Sequence, residues 1–349
     1  MAKVEAHDVQ QKIDALNARV KKASLRGAWQ RQSALREDIQ PWVWRWKDIL
    51  PNILEAGNLI PIDDTMKMRT IHMVNPSPGF PLGATRTFAA MLQQLNPGEV
   101  TESHRHTASS VYFMIQGSGL YTTAEGEQQF MEPGDLLTQP NWTWHGSTNT
   151  SSEPAIWFTA MDSPLTQYLN AWFNEKYPEG RSEPITKPDG YHLKRMGALR
   201  SNAALEGLGP FPVRFRWKDT LNMLEELAAA EEGDPFDGVV LDYTDPLTGG
   251  PTTTTIGCRI QMLRPGEETH SHRHTCSTIY YVVQGSGVTR IGQDRRNEET
   301  LVWSERDCFR VPAWYWHRFR NESSTLPAIL FSASDRPLLK AVRLYREEN

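Results

Sequence analysis

A chain of 349 residues, 39% apolar and with 12 tryptophans, is long enough for two or three domains with sizeable cores. Its net charge of −5, with no long run of one sign, gives no reason to expect a nucleic-acid or anionic-membrane partner, and no apolar run approaches the ~18 residues of a membrane span. The cysteines, Cys258, Cys276 and Cys308, are an odd, sparse set, and the polar N-terminus has no signal-peptide core, which together suggest free thiols in a cytoplasmic protein.

In chain order, Val9, Ile13, Leu16 and Val20 recur at helical steps and predict a helix up to Lys22, with a second polar helical stretch reaching about Ile39. The aromatic alternation from Pro41 to Asp48 predicts extended chain, Ile49 to Ala56 a short helix, and Arg69 to Val74 a strand closed by Asn75-Pro76. From Thr85 the pattern becomes short strands: Thr85 to Leu95, His104 to His106, Val111 to Ile115, Leu120 to Thr123, Gln128 to Met131, Leu136 to Gln139, Thr143 to His145 and Ala155 to Met161. Pro97-Gly98, Gly117-Ser118-Gly119 and Pro133-Gly134-Asp135 punctuate them, a spacing that predicts an all-β barrel or sandwich. Ser163 to Phe173 reads as helical, and residues 175 to 211 as a linker with little regular structure.

The chain then repeats itself. Trp44-Arg45-Trp46-Lys47-Asp48 returns as Phe215-Arg216-Trp217-Lys218-Asp219, and Pro97-Gly98-Glu99 as Pro265-Gly266-Glu267. His104-Arg105-His106-Thr107 returns as His272-Arg273-His274-Thr275, and Gln116-Gly117-Ser118-Gly119 as Gln284-Gly285-Ser286-Gly287. Pro140-Asn141-Trp142-Thr143-Trp144-His145 returns as Pro312-Ala313-Trp314-Tyr315-Trp316-His317. The offset stays between 168 and 172 residues, which marks a duplicated β-domain, each copy preceded by a Trp-rich arm.

Side chains alternate along a strand, so His104 and His106 share a face. A third imidazole, His145, would complete a facial set of nitrogen donors suited to a divalent transition metal with open coordination positions. His272, His274 and His317 form the same pattern and are a possible second site.

Each half resembles a cupin. Gly98, His104, His106 and Gly117 fit the first cupin motif, and Gly134, Pro140, His145 and Asn149 the second. Gly266, His272, His274, Gly285, Pro312, His317 and Asn321 match in the second half, with Arg306 in place of a Gly. The Glu usual after the second His is missing: Ser110 and Val111, or Thr278 and Ile279, stand there. This absence, the duplication, and the tail Leu330-Phe331-Ser332-Ala333-Ser334-Asp335-Arg336-Pro337 make the chain similar to the gentisate 1,2-dioxygenase-like bicupin family. The family acts on gentisate, salicylates and 1-hydroxy-2-naphthoate.

The resemblance implies an all-β-dominated bicupin: two jelly-roll barrels with an N-terminal helical arm and a helical or loop linker. The boundaries implied are an arm over 1–75, an N-terminal cupin with the metal site over 76–165, a linker with the second Trp-rich arm over 166–235, and a C-terminal cupin over 236–349. It further implies Fe(II) on His104, His106 and His145, O2 as co-substrate, and a homotetramer. The implied activity is extradiol-type cleavage of a hydroxybenzoate ring between its carboxyl- and hydroxyl-bearing carbons. Arg69 and Arg86 are candidates for the substrate carboxylate, Gln93 and Tyr112 for catalysis, and Met91, Trp144 and Ser147 for lining the pocket. Departures from the gentisate pattern at His145-Gly146-Ser147, Tyr112 and Met91 favour a substituted salicylate such as 5-nitro- or 5-aminosalicylate. A Mn-dependent cupin decarboxylase or oxidase, which would need the missing Glu, and a non-catalytic ligand-binding bicupin are the alternatives.

Overall fold

The computed structural model describes residues 2–24, 39–62, 68–77, 83–178, 182–196 and 211–349. Residues up to Ile39 form one compact unit and Gln40–Asn349 another. The first contains a helix over Ala2–Lys22, which includes the Val9–Lys22 stretch predicted from the apolar spacing and starts seven residues earlier, with Arg19, Lys21 and Lys22 in its last turn where they complement the helix dipole. The second helical stretch expected before Pro41 falls mostly outside the described residues.

The second unit holds two antiparallel barrels. In the first, a sheet runs in the order Arg214–Phe215, Leu136–Gln139, Ser110–Gln116, Ala155–Met161, Ala89–Leu95, Arg69–His72. It faces a sheet of Asn174–Lys176, His104–His106, His145–Asn149, Leu120–Ala124 and Glu127–Met131. The second barrel repeats the large sheet as Trp42–Trp44, Cys308–Val311, Thr278–Gln284, Ala328–Ser334, Gly257–Leu263, Val239–Tyr243. Its opposing layer is Glu299–Ser304, Ser286–Gly292 and Trp316–Asn321, with Arg273–His274 paired to Glu347–Glu348. Gly117 and Gly285 close equivalent hairpins with φ of 98° and 86°, and a Cβ at either would meet backbone of Ala155 or Ala328 within 3.0 Å.

The two large sheets pack back to back. Phe113 of the first stacks on Phe331 of the second, with centroids 4.2 Å apart, inside an apolar layer drawn from both barrels. This explains strands such as Ala89–Leu95 and Ala328–Ser334, which are buried along their whole length: one face fills a barrel and the other fills the junction.

The Trp-rich arms cross over. Each copy is preceded by an arm in sequence, yet Trp42–Trp44 pairs with Cys308–Arg310 of the second barrel, and Arg214–Phe215 with Leu136–Leu137 of the first. The extended stretch expected over Pro41–Asp48 is a strand only to Trp44, because a helix begins at Trp46 and runs to Leu59. Its first free N–H, on Trp46, donates to Asp307 Oδ1 at 2.9 Å, and Arg45 reaches Asp307 Oδ2 at 2.8 Å. The second arm copies this: Trp217 N–H donates to Asp135 Oδ1 at 2.7 Å and Arg214 Nε to Asp135 Oδ2 at 2.8 Å, ahead of the helix Trp217–Ala230. The linker is also more regular than expected. It contributes the edge strand Asn174–Lys176 and the helix Tyr191–Met196, whose His192 Nδ1 sits 2.5 Å from buried Glu127.

Candidate metal centre

His104 and His106 lie two apart on one strand, and the register sets His145 directly opposite His104. Ring centroids are 5.5 Å apart for His104–His106, 4.5 Å for His104–His145 and 4.9 Å for His106–His145. One nitrogen of each ring falls within 4.8 Å of the others. Every ring is held by its Nδ1–H. His104 donates to the Glu102 carbonyl at 3.0 Å, His106 to Ala108 at 2.7 Å and His145 to Thr143 at 2.9 Å. These bonds fix the tautomer and leave each Nε2 lone pair for the common centre. His145 Nε2 is buried and has no hydrogen-bond partner among the described residues.

Electrostatics favour the same state. Burial lowers the pKa of His104; burial and the neighbouring His104 push His106 down to about 4; and burial with both neighbours holds His145 well below the usual range. All three are therefore neutral near pH 7, the form that ligates a metal. The cluster consists of histidines alone, so a bound dication would keep its full charge.

The residue between the two ligands has its own task. Arg105 points outward, where its guanidinium lies 4.5 Å from the ring centroids of both Trp142 and Trp144 and bonds Glu175 Oε2 at 2.7 and 2.9 Å. Trp142 holds a φ of 63°, costly for a bulky residue, while its N–H donates to the His106 carbonyl at 2.8 Å. Trp144, expected to line the substrate pocket, is committed to this outer clamp because it comes immediately before His145, where the strand begins, and faces the other way; its second contact is the edge of Tyr177.

Arg69 is also relocated. It pairs with Gln94 on the outer face of the sheet, where it is buried, ion-paired to Glu99 and bonded to the Ile60 carbonyl at 2.6 Å. A guanidinium so engaged does not reach the barrel interior. Arg86 lies in the exposed bend before Ala89.

Gln93, Tyr112, Met91 and Ser147 are buried in the first barrel. Gln93 Oε1 accepts from Trp157 Nε1 at 2.9 Å and Thr159 Oγ1 at 2.6 Å. Tyr112 packs 6.1 Å from the Trp157 ring, and burial pushes its phenol up to about 12, so it stays protonated. Ser147 shares the His145 face and bonds Thr122 at 3.0 Å. Sequence reasoning missed Trp172, whose ring stacks on His106 at 5.7 Å and 19°. It also missed Trp157 and Thr159. Trp172 follows a short helix and belongs to no motif, but Tyr345 stands in the corresponding place of the second copy.

With this arrangement in place, kinship can be judged. The chain is 35% identical over 345 residues to a 5-aminosalicylate 1,2-dioxygenase from Comamonas sp., spanning 96% of this chain and 90% of that protein. The chain belongs to the gentisate 1,2-dioxygenase-like bicupin family. The cupin domain model matches residues 91–161 and 259–334, one region in each barrel of this bicupin. A gentisate 1,2-dioxygenase from Aquipseudomonas alcaligenes is 32% identical, with 99% of this chain and 94% of that protein covered. Among solved structures, the salicylate 1,2-dioxygenase of Pseudoaminobacter salicylatoxidans, as an adduct with gentisate, superposes with a TM-score of 0.86 at 28% identity, covering 97% and 93% of the two chains. These bicupins are ring-cleaving 1,2-dioxygenases that use O2 and a small aromatic carboxylate, and the histidine triad of this chain suits a metal ion. The family and the two-barrel architecture expected from the motifs therefore hold. No described helix is long and apolar enough to cross a membrane.

Proposed function

We propose that the chain is an Fe(II)-dependent dioxygenase that opens the ring of a 5-substituted salicylate between its carboxyl- and hydroxyl-bearing carbons. The observation that carries this reading is the carboxylate-free triad. Three neutral imidazoles leave the dication's charge to be balanced by the substrate, which favours an anion that chelates through carboxylate and hydroxyl oxygens. Iron(II) held by His104, His106 and His145 would supply a template and a redox conduit between the ring and O2.

The other residues serve that centre. Carbonyls of Glu102, Ala108 and Thr143 keep the Nδ1 protons in place. Gln93, its oxygen held by Trp157 and Thr159, has only a 3.5 Å contact to Thr70 on its amide nitrogen and can donate to a substrate oxygen. Tyr112 is a protonated donor, and Met91 and Ser147 shape the interior wall. Arg86 is the remaining candidate for the substrate carboxylate. Its counterpart by the repeat, Thr254, lines the cleft beside Arg259, Ser334 and Arg336 of the second barrel.

The preference for a 5-substituted salicylate rests on the departures at Met91, Tyr112 and Gly146-Ser147, and on the Comamonas relative's substrate. Buried free cysteines support a cytoplasmic location and family membership supports a homotetramer, which light scattering would test. The decisive experiment is anaerobic Fe(II) loading followed by O2 uptake and ultraviolet detection of the ring-opened acid across salicylate, 5-aminosalicylate, 5-nitrosalicylate, gentisate and 1-hydroxy-2-naphthoate. Turnover is expected with the salicylates. Silence across the panel overturns the activity, and a higher kcat/KM for gentisate than for every 5-substituted salicylate overturns the preference.

A further inference from the structure

The second histidine set keeps the geometry of the first. Centroid separations are 5.6 Å for His272–His274, 4.4 Å for His272–His317 and 5.0 Å for His274–His317, again with one nitrogen of each ring within 4.8 Å of the others. His274 and His317 turn Nδ1 to the carbonyls of Cys276 and Tyr315, both at 3.0 Å. The set is more enclosed than the first: His272 is 2% exposed, His274 9% and His317 0%. Both ring nitrogens of His272 and Nε2 of His317 are buried with no hydrogen-bond partner among the described residues. Buried polar atoms without partners are costly to the fold, so the cluster calls for an occupant.

What surrounds this set differs. Glu347 Oε1 lies 3.6 Å from His272 Nδ1, and Asp237 Oδ1 lies 3.7 Å from His272 Nε2. Glu347 sits on the chain's last strand, opposite His274; the corresponding partner of His106 in the first barrel is Asn174, an amide. Arg259 stands where the first barrel has Met91, and it is tied to Asp237 at 3.1 Å and Asp242 at 2.6 Å. The cavity among these groups, walled also by Arg336 and Tyr345, has a volume of about 30 Å³, space for one water and not for an aromatic ring.

We propose that His272, His274, His317 and Glu347 form a second divalent-cation site, closed to aromatic substrates, that fastens the C-terminal segment to its barrel. The carboxylate offsets part of the cation's charge, whereas the first cluster has histidines alone among its described ligand groups. The cation in turn ties the last strand to strands from the barrel interior, just beyond the exposed Lys340, Arg343 and Arg346.

Full-length protein stripped with chelator and titrated with Co(II) tests this independently of any turnover. Two cobalt ions per chain are expected in the wild type. One should remain in the H104A/H145A variant, and the other in H272A/H317A. Because the double histidine variant could unfold the second barrel, E347Q, altered at a partly exposed residue, provides the second arm: it should weaken one of the two sites at least about tenfold and leave the other unchanged. In H104A/H145A, cobalt should slow tryptic cutting at Lys340, Arg343 and Arg346. One cobalt per chain in the wild type, or two that survive H272A/H317A, overturns the site. Unchanged affinity in E347Q with unaltered proteolysis overturns the role of the tail. A failed dioxygenase assay leaves these counts standing.

Discussion

Thr87 of the first barrel donates its hydroxyl to Asp335 of the second at 2.6 Å, and Thr255 of the second donates to Asp162 of the first. Each aspartate also accepts a backbone N–H within its own barrel, Asp335 from Ser277 and Asp162 from Ser109, both at 2.8 Å. The junction is thus latched twice by the same device. Burial nevertheless dominates, pushing both carboxyls up to about 6.

A carboxyl whose pKa is raised by folding contributes stability that is present below its unfolded value near 4 and lost as pH rises through about 6. Each aspartate should therefore cost the native state on the order of 2–3 kcal/mol at pH 7 relative to pH 4. Urea unfolding of wild type, D162N and D335N at the two pH values checks this. The stability of each variant relative to wild type should rise by that amount between pH 4 and 7, and parallel behaviour of variant and wild type would count against it.

Asp307 caps the helix of an arm that arrives from the far end of the chain. D307A removes the acceptor for Trp46 N–H and the partner of Arg45, which is about one-third exposed and so adds little. The loss should be about 1–2 kcal/mol, read as a lower urea midpoint. D307N, which keeps an acceptor for the amide, should recover most of it.

Gln93 is expected to matter twice. In Q93A, Trp157 Nε1–H and Thr159 Oγ–H lose their acceptor inside a closed barrel, a cost of about 2–4 kcal/mol. Thermal unfolding measures that part. If Gln93 also donates to substrate, KM for the salicylate rises in Q93E, which retains the acceptor for both neighbours.

Trp172 stacks on a metal ligand from a segment outside the barrel motifs. W172A should loosen His106 and weaken the first metal site about tenfold, while W172F retains the ring and most of the affinity. Chelator competition on these variants and on the bulky but non-aromatic W172L distinguishes stacking from mere bulk; equal affinity in W172F and W172L would show that packing volume decides.

Most of the centre could be read in the sequence because its parts are local. His104 and His106 need only the alternation of a strand, and the repeat located their twins. Trp142 and Trp144 were visible as a motif, but their function depends on Arg105 being directed outward, and that follows only once His104 and His106 are known to face inward. Arg69 misled because a guanidinium that suits a carboxylate says nothing about which face of Arg69–His72 it occupies; its pairing with Gln94 across the strands and its ion pair with Glu99 settle that. The start of the helix at Trp46 was hidden for a similar reason. Its cap, Asp307, is supplied 261 residues away.

The exchanged arms also constrain how this chain can be dissected. A half-length protein would carry an arm with no edge of its own to bind, beside a barrel whose edge was left unfinished. Both needs are met at once by a second copy of that half. Two copies of a half, each lending its arm to the other's edge, would reproduce between chains the contacts that this chain makes within itself. Either half made alone should adopt that paired state.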